Sequence, residues 1–133
     1  MFIMRKIRTY LDLFFKISNF TIIILYLYPG SVLGWIVYGN LKSQPQLTGN
    51  FLSLSSNHFY TFLILSFIAV LSYSNNQKKL NYIFLYLFFN SIILELAHLV
   101  IPNRSFQFED LIGNITCVII SYILMKIYEF IRR

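Results

Sequence analysis

Glu95, His98, Arg104, Asp110 and Asn114 lie inside or beside segments otherwise apolar enough for a bilayer interior. An ionisable group in hydrocarbon costs about 3 kcal/mol, so it persists where it pairs, faces a wet cavity or performs a function. Glu95 and His98 are three residues apart and share one helical face. In that setting Glu95 is either a structural partner of His98 or Arg104, or a carboxyl that exchanges protons or binds a donor. Arg104 admits two readings as well. Its planar fork suits a phosphate, pyrophosphate or carboxylate head group, gripped bidentately. The plainer reading is an interfacial arginine that pairs with Glu109 or Asp110 and fixes the turn.

Asp110, Asn114, Cys117 and Ser121 recur at spacings of four, three and four, which makes one helical stripe. Asp110 stands where that helix should begin and can cap it. The lower half of the stripe is small and suits close helix packing. His58 follows the hydroxyl and amide cluster Ser55, Ser56 and Asn57 at the head of another apolar segment. Histidine, glutamate and aspartate together could form a three-ligand zinc site with an open position. No HExxH or comparable signature occurs, however, so neither a metal nor another cofactor is expected. The Glu95/His98 spacing also resembles one half of a di-iron bundle, but the second pair that architecture needs is missing.

The elements that must position these groups are membrane helices. Of 133 residues 57% are hydrophobic, 19% aromatic and only 12% charged, and mean hydropathy is +0.64. A soluble domain carries roughly a quarter charged residues. The expected fold class is all-α: an integral membrane four-helix bundle in a single domain, residues 1–133. Its spans are expected at about 13–33, 54–73, 80–101 and 111–130, each near the twenty residues a bilayer demands. The basic N-terminal start and apolar run resemble a signal peptide, but no clear small-residue cleavage site follows Tyr28, so a retained first span is expected.

Lys and Arg accumulate on the cytoplasmic side of short loops. Arg5, Lys6, Arg8 and Lys16 precede or open the first span; Lys78 and Lys79 lie between the second and third; Lys126, Arg132 and Arg133 close the chain. The alternate connections hold only Lys42 and Arg104 of the eleven basic residues. Both termini are therefore expected in the cytoplasm, with His58, Glu95, His98, Arg104, Asp110 and Asn114 gathered at the outward face. The first outward connection, with Trp35 and Tyr38, reads as a re-entrant or membrane-surface loop. The net charge of +6 flanks the spans and forms no basic stripe, which argues against nucleic-acid binding. Cys117 is the only cysteine and has no disulfide partner in the chain.

His58-Phe59 at a span start, then Glu95 and His98, Pro102 and Arg104, and Asp110 and Asn114, together resemble the VanZ-like family of small bacterial membrane proteins. The resemblance runs from about Ser55 to Ser121. His98 stands where that family commonly has glutamine, and Cys117 and Ser121 where glycine is common. The resemblance implies a multi-pass protein of the bacterial inner membrane with a cell-envelope role. The family's namesake is associated with low-level teicoplanin resistance, and no shared mechanism follows.

The leading expectation is an outward polar pocket that binds a membrane lipid, anionic or lipid-linked, by its head group. One alternative is a membrane-embedded hydrolase or transferase with Glu95 or His98 as general base. Another is a small structural subunit that partners a larger membrane protein. Transport is disfavoured, because no inverted repeat or pair of broken helices stands out.

Overall fold

A computed structural model describes residues 2–45 and 56–131, and every regular element among them is helical. Five helices follow in order: α1 (Phe2–Leu27), α2 (Val32–Tyr38), α3 (Ser56–Tyr73), α4 (Gln77–Ala97) and α5 (Phe108–Ile131). The stretches 6–27, 77–97 and 108–131 are long and apolar enough to cross a membrane, while α3 contributes a shorter apolar helix over 57–73. The expected start of the second span at Leu54, together with Ser55, Arg132 and Arg133, lies outside the described residues.

Backbone chemistry sets the helix ends. The last α1 hydrogen bond runs from Tyr28 N to Ile24 O at 2.9 Å. Pro29 then offers no N–H and disfavours helical geometry at Tyr28, and Gly30 turns the chain at φ 106°. The first helix thus stops at Leu27, as the Pro29-Gly30 pair in the sequence signals, short of the 33 to which the apolar pattern carries the span. Leu33 belongs instead to α2, a seven-residue helix capped by the Ser31 side chain, which accepts from Gly34 N, and closed by left-handed Gly39. At the other end of the chain's middle, Asn76 Oδ1 caps α4 by accepting from Lys79 N at 3.0 Å. Helix α4 ends at Ala97 rather than 101. Its last carbonyls accept from Leu99 and Val100 in tighter turns, at 3.1 Å each.

Helix α3 lies at the centre, packed against α1, α4 and α5; α4 also packs against α5 and α1. Phe62, Leu65, Leu80 and Leu87 are fully enclosed there, with Phe84, Leu94 and Val118 around them. Ala69, Ser66, Ser91 and Cys117 are equally buried and small, which lets helices approach where no aqueous hydrophobic drive exists. The outside is as greasy as the inside. Phe20 is 64% exposed, Phe67 61%, Ile93 61% and Leu124 58%. Helices apolar on every side need an apolar solvent, and this is a membrane protein.

Candidate functional site

The buried ionisable side chains gather at one end of the helices. His58 comes from the first turns of α3, Glu95 from the last turn of α4, His98 from its C-cap, and Asp110 and Asn114 from the first two turns of α5. All five are buried: His58 is 7% exposed, Glu95 0%, His98 4%, Asp110 5% and Asn114 0%. His58 thus meets Glu95 and Asp110, which follow it far along the chain, because three helix ends coincide. Asp110 lies in the first turn of α5 beside Glu109, where the positive end of the helix dipole favours a carboxylate.

Glu95 Oε1 receives two contacts, from His98 Nδ1 at 3.2 Å and from the Gln107 backbone N–H at 3.3 Å. His98 Nε2 lies 3.1 Å from the carbonyl oxygen of Tyr26. A carbonyl only accepts, so Nε2 carries a hydrogen. The Nδ1 contact with Glu95 is then attractive only if one further proton is shared between imidazole and carboxyl. His58 repeats this arrangement. Its Nε2 lies 3.3 Å from Asp110 Oδ2, and its Nδ1 lies 3.6 Å from Glu95 Oε2 and 2.9 Å from the Tyr26 hydroxyl. Tyr26 Oη donates to Asn114 Oδ1 at 3.2 Å. It therefore accepts from His58 Nδ1, and the Nε2 contact with Asp110 must again be bridged by a positive species.

Tyr26 is the centre of this network, and sequence reasoning missed it. Besides its hydroxyl and carbonyl bonds, its ring stacks on His98 at 5.7 Å between centroids and meets His58 edge-on at 5.1 Å. As one tyrosine among ten, it carried no compositional mark. Its place three residues before Pro29 was the available signal, since that puts it at the same end of the bundle as the other polar groups.

Arg104 sits at the rim. It donates from Nη2 to Leu25 O at 2.8 Å and from Nε to Tyr28 O at 3.2 Å. The last carbonyls of a helix lack intrahelical donors and draw cations, so Arg104 and His98 together cap α1 from the α4–α5 connection. Where the sequence pointed to Glu109 or Asp110 as the partner of Arg104, its hydrogen bonds run instead to carbonyls at the end of α1. Burial lowers the Arg104 affinity for its proton below the ordinary range, while Tyr26 and the Glu95 and Asp110 carboxyls raise it.

A cavity of about 110 Å³ opens beside the cluster, lined by the polar Tyr26, His58, His98 and Arg104 and by the apolar Ile22, Leu25, Val32 and Leu33 among others. Two fully buried atoms of the cluster, Glu95 Oε2 and Asn114 Nδ2, have no hydrogen-bond partner among the described residues. His58, Glu95 and Asp110 each offer a donor atom within 4.8 Å of the others. Cys117 lies below, its thiol bonded to Asn114 O at 3.1 Å, and is a packing residue.

No curated protein and no solved structure gives a significant match to the chain. A family model described as VanZ/LLP1 matches residues 4–129. With that match covering nearly the whole chain and the membrane helices in place, the protein belongs to the VanZ/LLP1 family.

Proposed function

We propose that the cavity receives the polar head group of an anionic or lipid-linked envelope lipid, in a bacterial cytoplasmic membrane that the chain crosses four times with both termini inside. The observation that carries this reading is the lining of the cavity, where Arg104, His58 and His98 stand together with Leu25, Val32 and Leu33. An amphiphile matches both halves. A guanidinium has five N–H donors; Arg104 commits Nε and one Nη2 donor to α1 carbonyls, which leaves others for a phosphate oxygen. The orientation rests on the distribution of Lys and Arg, and it turns the cavity toward the outer leaflet.

Binding is favoured over catalysis. Glu95 is fully enclosed and does not line the cavity, and both nitrogens of His98 are engaged, with Tyr26 O and with Glu95. A general base needs a free nitrogen or oxygen within reach of the proton it takes.

The test is binding of the purified protein to vesicles of phosphatidylglycerol against vesicles of phosphatidylcholine. Wild type should prefer the anionic lipid, and Arg104→Lys should weaken that preference about tenfold with helicity retained, because ammonium cannot grip bidentately. Unchanged preference in a His58, His98 and Arg104 alanine set that still folds overturns the reading.

A further inference from the structure

We infer that His58, Glu95 and Asp110 form a binding site for one divalent cation of the zinc class, built from α3, α4 and α5 at the buried end of the cavity. The inference stands apart from the head-group reading, since it concerns the enclosed cluster and not the cavity's rim.

Charge is the first argument. Two carboxyls, Glu95 at 0% and Asp110 at 5% exposure, share one enclosed site with the imidazoles of His58 and His98. Carboxylates removed from water need positive charge close by. One divalent ion supplies it at a single point, leaving His58 neutral as a nitrogen donor.

Geometry is the second. The three donor atoms lie within 4.8 Å of one another. The separation of His58 Nε2 from Asp110 Oδ2, 3.3 Å, matches the edge of a tetrahedron with bonds of about 2.0 Å. Glu95 Oε2 is fully buried, accepts no hydrogen bond among the described residues and lies 3.6 Å from the Nδ1 edge of the same imidazole, and a Glu95 carboxylate oxygen is within 4.8 Å of the other two ligand atoms. An oriented, enclosed and unsatisfied carboxylate oxygen is what a cation requires of its third ligand.

The surroundings supply the third argument. Ligating histidines fix their ring by hydrogen-bonding through the nitrogen that does not touch the metal, and His58 Nδ1 lies 2.9 Å from the Tyr26 hydroxyl. Glu95 Oε1 is likewise held by His98 and by the Gln107 N–H. His58 itself lines the cavity, which gives an ion a route to the cluster. The donor set of one imidazole and two carboxylates favours zinc or manganese over the all-oxygen preference of calcium and magnesium. Three protein ligands leave a further coordination position for water or an anionic oxygen.

The test uses the full-length protein without an affinity tag, stripped with a chelator in an uncharged detergent and titrated separately with zinc, manganese and magnesium chloride, followed by calorimetry and by metal analysis after desalting. The expected result is one zinc per chain, a raised unfolding temperature with zinc and none with magnesium, and affinity at least about tenfold weaker in Glu95→Gln and Asp110→Asn. Cys117→Ser should bind as wild type does. Absence of saturable zinc and manganese binding by the wild-type chain overturns the proposal without recourse to any variant. So does zinc binding that survives all of His58→Gln, Glu95→Gln and Asp110→Asn. Lipid binding is read separately on vesicles, so either proposal can fail alone.

Discussion

The Tyr26 hydroxyl bridges His58 and Asn114 while its carbonyl accepts from His98, so a single residue of α1 holds side chains brought by α3, α4 and α5. Tyr26→Phe keeps the ring contacts and removes the bridge. In a water-soluble interior an unmatched buried polar atom costs about 1–3 kcal/mol; between membrane helices a polar contact averages about 0.6 kcal/mol. The expected loss is about 1 kcal/mol, measured by unfolding in mixed micelles, and no loss would show that the hydroxyl does not hold the cluster. The positions His58, Glu95, His98, Asp110 and Asn114 were legible in the sequence because charge and amide are conspicuous in hydrocarbon. Tyr26 was not, because tyrosine is at home at a membrane interface for reasons unrelated to any site. Nor were the partners of Arg104 legible, since backbone carbonyls leave no mark in a sequence. The Pro29-Gly30 stop was the one hint that α1 would end with carbonyls in want of a donor.

At the scale of elements, the short helix α2 and the turn after it form a tight unit held by glycines with different jobs. A Cβ on Gly34 would overlap the Ser43 carbonyl oxygen and stand 2.8 Å from Asn40 O. Both obstacles are backbone and cannot step aside. Gly39 has φ 64° but open space around it. Gly34→Ala should therefore cost about 3 kcal/mol as an overpacking change, and Gly39→Ala about 1 kcal/mol for the left-handed conformation alone. Unfolding of the two variants side by side checks the order, and a reversal would mean that the turn at 40–43 yields easily. Helix existence was readable from hydropathy; helix ends were less so. An uncharged run carries the first span to 33, and within it Pro29 and Gly30, rather than hydropathy, signal where the helix ends. Hydropathy likewise extended the third span to 101, beyond the point where Ala97 gives way to tighter turns ahead of Pro102.

For the whole molecule, apolar surface faces outward along the helices and the ionisable groups withdraw to one end of the interior. Composition made that inversion legible, because so many exposed Phe, Ile and Leu have no place in water. The proposed orientation is checked with single cysteines and a membrane-impermeant maleimide in intact cells. Native Cys117 is fully buried and should stay silent. Lys42→Cys should label from outside and Gln77→Cys only after permeabilisation. The opposite pattern would turn the cavity toward the cytoplasm and remove the outer-leaflet lipid from consideration.

The two side chains that cap α1 come late in the chain, with His98 72 residues beyond Tyr26 and Arg104 79 beyond Leu25. At synthesis rates of about 5–20 residues per second, the ribosome emits the end of α1 roughly 4–15 s before those donors exist. During that interval the nascent helix stands in the bilayer with bare carbonyls at its tip, a mark of unfinished assembly for any quality-control protease. A transcript truncated ahead of α4 would never erase that mark, so its product should be short-lived even with α1, α2 and α3 translated.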